Sequence, residues 1–148
     1  MTTKQYLSQI GRYERMIDDK LTELYRLRQI ASSISISVSD DKIMSSGSQD
    51  KMGDAVAKIV DLEKSVEDTI TKYTETRQKI IMQIDNIPDI NAYSVLFNRY
   101  VANKSFEKIA DSIGYSVRQT IRIHGIALQE FEKIYGSEYL SLNVIECH

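Results

Sequence analysis

The sequence has few of the residues that interrupt helices or cross-link small folds. Its 148 residues include one proline and six glycines, too few for the frequent turns of a β-sandwich or barrel. The single cysteine, Cys147, excludes an internal disulfide framework and favours a reducing compartment. There is no apolar run of about 18 residues, so no transmembrane helix is predicted. The chain begins in a charged amphipathic pattern instead of a signal peptide, and we expect a cytosolic protein.

A surplus of positive charge is also missing. The formal net charge is −2, and neither side of Pro88 is basic when taken alone. This excludes a protein that coats nucleic acid through overall charge, so any contact with DNA must come from a local cluster of cations. What the chain does contain, 42% hydrophobic and 27% charged residues, is typical of a folded soluble protein.

Apolar residues spaced three and four apart predict two long amphipathic helices. We expect the first over about residues 3–31 and the second from an Asp50 N-cap to about residue 85, shortly before Pro88. The first apolar stripe comprises Tyr6, Ile10, Tyr13, Ile17, Leu21, Leu24, Leu27 and Ala31. The second comprises Ala55, Ile59, Leu62, Val66, Thr69, Tyr73, Thr76 and Ile80. Two such helices most simply fold back on each other as an antiparallel, coiled-coil-like hairpin.

The connection between these helices has a different pattern. Residues 32–39 alternate serine with apolar side chains, which is typical of a short strand. No second strand is visible to pair with it. We therefore expect a flexible connection over residues 32–50, either an extended segment packed on the helices or a serine-rich loop.

The part of the chain after Pro88 predicts a compact helical unit. Asp89 can cap a third helix, and Ser105 can cap a short helix over residues 106–113. Gly114–Ser116 can form a three-residue turn into a longer helix that ends near Tyr135. A short helix, a glycine turn and a longer helix together predict a helix-turn-helix.

The register of the last helix follows from Ser116 and Gln119, which stand three apart as a capping box. At about 100° per residue, one face should be buried. That face comprises Thr120, Ile123, Ala127, Phe131 and Ile134, with Val117, His124 and Leu128 on its shoulder. The opposite side should be free for DNA, and the residues assigned to binding are Ser116, Arg118, Gln119, Ile121, Arg122 and Gly125. No acidic residue lies between Asp111 and Glu130, so this surface is locally cationic.

These residue types suit the major groove. Both arginines can bond guanine in bidentate fashion or clamp a phosphate, Gln119 can pair with adenine, and Ile121 can contact a thymine methyl. His124 lies at the edge of the core face, where a packed histidine bonded to a carbonyl is expected.

Other chemistry finds little support in the sequence. Cys147 and His148 supply only two potential metal ligands, so we expect no metal site. No nucleophile and base constellation or phosphate-cradling loop is present, and we expect neither an enzyme nor a cofactor. The predicted organisation is a hairpin over 1–87, a helix-turn-helix over 88–136 and a tail over 137–148. The tail is apolar from Tyr139 to Ile145 and should pack on the hairpin or on a second subunit, which favours a homo-oligomer.

The segment from Tyr100 to Phe131 resembles the helix-turn-helix of sigma-factor region 4. The motifs that carry the resemblance are Ile109-Ala110, Gly114-Tyr115-Ser116, Arg122-Ile123 and Ala127-Leu128. In that family the helix after the turn reads the promoter −35 element and the domain contacts RNA polymerase. The resemblance therefore directs Arg118, Gln119, Ile121 and Arg122 towards DNA. Val117 departs from the family pattern, because many region-4 helices carry a polar or basic residue there.

A wider resemblance covers most of the chain. The two N-terminal helices, the stretch from Gly47 to Glu63 and the terminal helix-turn-helix are similar to the ArpU/RinA-like late transcriptional regulators of Gram-positive phages. This implies control of phage late-operon transcription in the cytoplasm of a bacterial host, with double-stranded DNA and RNA polymerase as partners. The residues alone leave an alternative open: a phage-encoded helical adaptor or inhibitor that binds a host protein through its hairpin.

Overall fold

The computed structural model describes residues 1–40 and 46–142 and confirms the predicted all-α fold. The helices are α1 (Thr3–Leu7), α2 (Gln9–Asp40), α3 (Ser46–Asp85), α4 (Ile90–Leu96), α5 (Phe106–Ile113) and α6 (Val117–Tyr135). A π-helical turn (Phe97–Val101) follows α4, and a 3-10 turn (Gly136–Glu138) follows α6. Within the described ranges there is no strand, and no helix is long and apolar enough to cross a membrane.

The expectation for the connection over residues 32–50 is wrong where the structure describes it. Residues 32–40 continue α2, and residues 46–50 already belong to α3. Residues 41–45 lie outside the described part. Serine and β-branched residues have only a weak preference against helix, so a helix that already has many turns can continue through them. The alternation of serine with isoleucine and valine therefore did not indicate the backbone conformation.

Residues 13–40 and 46–72 form one compact unit, in which α2 and α3 lie antiparallel. Lys20 Nζ donates to Ser65 Oγ and Thr69 Oγ1, each at 2.7 Å, and Arg28 pairs with Glu63 at 2.9 Å. Partners on α3 come earlier in the chain as α2 proceeds, which is the predicted hairpin arrangement. The buried seam is narrow, and its members are Leu24, Ala55, Val66 and Thr69.

The two predicted apolar stripes have different outcomes. All eight positions of the second stripe, from Ala55 to Ile80, are buried or half-buried, which confirms it. In the first stripe Leu21 is 46% exposed, so its assignment to the core is wrong, while the other seven positions are buried or half-buried. A pair of helices buries a narrower band than a bundle does, and Leu21 lies beyond the edge of that band.

The second compact unit comprises residues 1–12 and 73–142. Its large, fully buried apolar side chains come from all six helices and the segment after α6: Leu7, Ile10, Ile80, Ile84, Val95, Leu96, Ile109, Phe131 and Tyr139. The start of the chain thus packs with the helix-turn-helix. The two compact units therefore differ from the predicted domains, which had boundaries at 87/88 and 136/137. Those boundaries were placed at the predicted ends of helices, whereas the compact units follow which residues share a core.

Tyr139, the first residue of the apolar part of the predicted tail, packs against the rest of its unit. Tyr139 is fully buried, its ring stacks on Tyr6 at 4.3 Å between centroids, and its hydroxyl lies 2.8 Å from Thr3 Oγ1. The contact is with the N-terminal end of the first helix. Leu140 and Leu142 are exposed, and the part of the predicted apolar tail from residue 143 onward lies outside the described residues.

Candidate nucleic-acid interface

The predicted short helix, glycine turn and longer helix are present with the expected boundaries. Ser105 caps α5 by accepting a hydrogen bond from the Lys108 backbone nitrogen at 3.3 Å. α5 ends at Gly114, whose φ of 77° lies in the left-handed region that glycine adopts without strain. The backbone nitrogens of Gly114 and Tyr115 both donate to Ala110 O, which closes the end of α5 and turns the chain into α6.

The start of α6 is fixed by Ser116. Its side chain accepts from the Gln119 backbone nitrogen at 3.2 Å, and its carbonyl accepts from the Thr120 hydroxyl at 2.9 Å. The serine half of the predicted capping box is therefore made. Because the first turn is fixed by its own side chains, the positions that follow project from it in a defined order.

The residues assigned to DNA binding lie together on one exposed surface, which we call the reading face. All six are exposed: Ser116, Arg118, Gln119, Ile121, Arg122 and Gly125. Within the described residues, no carboxylate lies within 4.0 Å of Arg118 or Arg122. Ile121 exposes 48% of its surface between polar neighbours. The reading face thus presents two guanidinium groups one turn apart that have no ion pair among the described residues, together with an amide and an apolar contact.

The opposite face of α6 is buried along most of its length. Thr120, Ala127 and Phe131 are buried as predicted. One predicted member is wrong, because Ile134 is 49% exposed, and Val117, placed on the shoulder of this face, is 36% exposed. Ile123 and Leu128 are half-buried, and His124, placed on the shoulder from sequence, is buried. The centre of the buried face is therefore turned towards His124.

His124 is a packed histidine, but its partner is not the carbonyl that was expected. Its Nε2 atom lies 2.7 Å from the Tyr100 hydroxyl, and the Phe106 ring meets it edge-on at 5.1 Å. The pKa of His124 is lowered to about 4, first by desolvation on burial and then by the nearby charges of Lys4 and Arg99. Desolvation also raises the pKa of Tyr100 to about 12. The pair is therefore neutral at physiological pH.

A cationic cluster beside His124 was not found from the sequence. Arg99 Cζ lies 4.1 Å from the centre of the Phe106 ring, and Arg99 Nη1 donates to Lys104 O at 3.2 Å. Arg99 lies in the π-helical turn, and Asn103 follows with a φ of 54°. An ordinary helical projection misplaces residues across such a turn, because each π-turn shifts the register by one residue. The spacing of apolar residues in the sequence does not indicate that shift.

A groove borders the other side of the reading face. It has a volume of about 270 Å³ between the start of α4 and α6, and Gln119 and Arg122 form part of its wall. Asp89 caps α4 by accepting from the Asn91 backbone nitrogen at 2.9 Å, as predicted, and it also lines the groove. Asn91 Nδ2 donates to the Tyr115 hydroxyl at 3.2 Å. This second edge therefore contains a carboxylate, whereas the edge near His124 is cationic.

Comparison of the chain with protein-family models, with curated proteins and with solved structures finds no match. In the described part of the chain, no three His, Cys, Asp or Glu side chains are grouped so that they could hold a metal ion. The two potential ligands Cys147 and His148 lie outside that part.

Proposed function

We propose that this protein is a sequence-specific DNA-binding transcriptional regulator of the phage late-gene activator type and not an enzyme. The observation that carries the proposal is the exposure of Arg118 and Arg122, one turn apart on the helix that follows the turn, with no carboxylate partner in the part of the chain that the structure describes. The resemblance to sigma-factor region 4 and to ArpU/RinA-like regulators supports it. We place the protein in the cytoplasm of a bacterial host.

Recognition would follow the chemistry of the major groove. An exposed helix start can enter the groove and present its first two turns to base edges. Arg118 and Arg122 would bond guanine or clamp a phosphate, Gln119 would pair with adenine, and Ile121 would contact a thymine methyl. Gly125 would allow close approach of the DNA backbone, since it has no side chain to intervene.

The overall charge of −2 restricts how the protein can bind. Counterion release depends on how many phosphates are neutralised locally, so a neutral protein with a cationic reading face can still bind in a salt-dependent way. We expect moderate affinity for random duplexes and a preference for operator DNA that depends on base contacts. Homo-oligomerisation through the hairpin would double the surface that contacts DNA. RNA polymerase is the protein partner expected of a transcriptional activator.

The proposal is tested by measuring binding of a fluorescein-labelled duplex from the protein's own operon by fluorescence anisotropy. The double variant Arg118→Ala, Arg122→Ala should lose roughly thirtyfold or more in affinity, at about 1–3 kcal/mol for each bidentate contact. The matched control is Arg15→Ala, Arg26→Ala, which removes the same charge from exposed positions on α2. Equal affinity of the reading-face variant and the control would refute the proposal.

A second candidate function is supported by exposed apolar residues on the hairpin unit. Leu21 and Tyr25 stand one turn apart on α2, Val56 and Val60 one turn apart on α3, and their exposed fractions range from 46% to 67%. The pair Arg28–Glu63 joins the two helices one turn beyond Tyr25 and Val60, so both strips border the same edge. Two exposed apolar strips on one edge, with this ion pair between them, suit a protein partner.

This adaptor function makes a different prediction. After nuclease treatment, affinity capture should recover one stoichiometric host protein, and the double variant Tyr25→Glu, Val60→Glu should abolish the capture. Binding of operon DNA by the same variant should remain at the wild-type level if the two surfaces act separately. Capture of a host protein together with no binding of any duplex would replace the regulator proposal with the adaptor function.

A further inference from the structure

The side of the reading face next to His124 carries three cations from three separate segments of the chain. They are Lys4 on α1, Arg99 in the π-helical turn and Lys104 in the loop before α5. Lys4 and Lys104 are exposed, and in the described part of the chain neither lies within 4.0 Å of a carboxylate. We call this set the cationic flank. It arises because the first residues of the chain pack on the helix-turn-helix unit.

Two contacts hold Arg99, the central residue of the flank, in a fixed orientation. The Arg99 guanidinium lies on the Phe106 ring at 4.1 Å and donates to Lys104 O at 3.2 Å, so it is oriented before any ligand arrives. Phe106 in turn packs edge-on against His124 at 5.1 Å. Arginine that is already ordered loses less entropy when it binds than a free side chain does.

The flank adjoins the reading face through α6 itself. His124 and Ile121 are three residues apart, so they are neighbours on the same side of the helix. Phe106 contacts His124 edge-on, and Thr3, the neighbour of Lys4, donates to Glu132 on α6 at 3.0 Å. The charges of Lys4 and Arg99 also lower the pKa of His124. The opposite side of the reading face borders the groove that contains Asp89. Positive charge is therefore concentrated along one edge.

We propose that Lys4, Arg99 and Lys104 form a phosphate-binding flank that contacts the DNA backbone beside the groove entered by α6, an inference that rests on the proposed function. When a helix lies in the major groove, the elements beside it face the sugar-phosphate strands. Cations on such elements position the protein and carry no base specificity. The start of the chain is then part of the DNA-binding surface, although the sequence assigned it only to the hairpin.

The test uses the full-length double variant Lys4→Gln, Lys104→Gln, with both substitutions at exposed positions. Binding of operon duplex and of a random-sequence duplex is measured across a range of salt concentrations. The slope of log K against log salt should fall in magnitude by about 2, since each lost phosphate contact removes about 1. Affinity for both duplexes should fall by the same factor, because phosphate contacts do not distinguish sequences.

The matched control is Lys64→Gln, Lys72→Gln, which removes the same charge from exposed positions of the hairpin unit. A slope and affinity for Lys4→Gln, Lys104→Gln equal to those of this control would overturn the flank, as would a loss confined to the operon duplex. If either result were found while Arg118→Ala, Arg122→Ala still lost affinity, the flank would be refuted and the proposed function would stand. Salt-independent behaviour of the wild type on every duplex would refute both.

Discussion

Burial of His124 makes the stability of the folded chain depend on pH. The pKa of His124 is lowered from its ordinary 6.5 to about 4, with desolvation as the first cause. The unfolded chain therefore binds a proton between these values while the folded chain does not. The contribution of His124 to the free energy of unfolding is therefore fully present above about pH 6.5 and is lost as the pH falls towards 4. Over that whole window the loss is about 3 kcal/mol, at about 1.4 kcal/mol per pKa unit.

The measurement is urea unfolding followed by circular dichroism. Between about pH 7.5 and pH 5, the free energy of unfolding should fall by about 2 kcal/mol more in the wild type than in His124→Gln, which cannot titrate. The comparison of slopes removes the contribution of the carboxylates that both proteins share. Tyr100→Phe should keep the pH-dependent loss, because it removes the hydrogen bond and leaves the desolvation in place. Equal slopes for the wild type and His124→Gln would refute the reasoning.

Further predictions concern α6 and its turn, measured by urea unfolding and DNA anisotropy. Gly125→Ala should stabilise the fold by about 1 kcal/mol, because a Cβ there meets nothing within 4 Å, yet it should weaken DNA binding. Gly114→Ala should destabilise by about 1 kcal/mol, since its φ is 77°. Ser116→Ala removes the cap bond and should cost about 1 kcal/mol. Phe131→Ala should cost about 3–5 kcal/mol, whereas Ile134→Ala, 49% exposed, should cost far less.

Each of these has an outcome that contradicts it. Gly125→Ala with unchanged DNA affinity would remove Gly125 from the interface, and a loss of stability would contradict the open space around it. Equal costs for Phe131→Ala and Ile134→Ala would contradict the burial of α6 described here. A Ser116→Ala variant as stable as the wild type would mean that water replaces the cap without cost.

Local signals explain why much of the candidate site could be predicted. Ser105, Gly114 and Ser116 act on backbone groups within a few residues of themselves, so the boundaries of α5 and α6 follow from local hydrogen bonding. Once Ser116 fixed the start of α6, the helical repeat predicted the exposure of Arg118 and Arg122. Whether these residues bind DNA stays a prediction.

Other features depended on partners far away in the chain. Leu21 and Ile134 fit an apolar stripe, but their exposure depends on what lies opposite them. The partner of His124 is Tyr100, which the sequence places in a helix that a π-turn then re-registers. Residues 32–40 are helical, and an alternating pattern of eight residues could not predict this.

By itself, the sequence determined the all-α class, the antiparallel hairpin, and the turn and caps of the helix-turn-helix, because these follow from periodicity and from hydrogen bonds between near neighbours. Only the tertiary structure decided that Met1–Arg12 packs with the helix-turn-helix unit, with Tyr6 against Tyr139 and with Lys4 and Arg99 near His124. Contacts between residues more than a hundred positions apart depend on how complete surfaces fit together, and no local pattern encodes that fit.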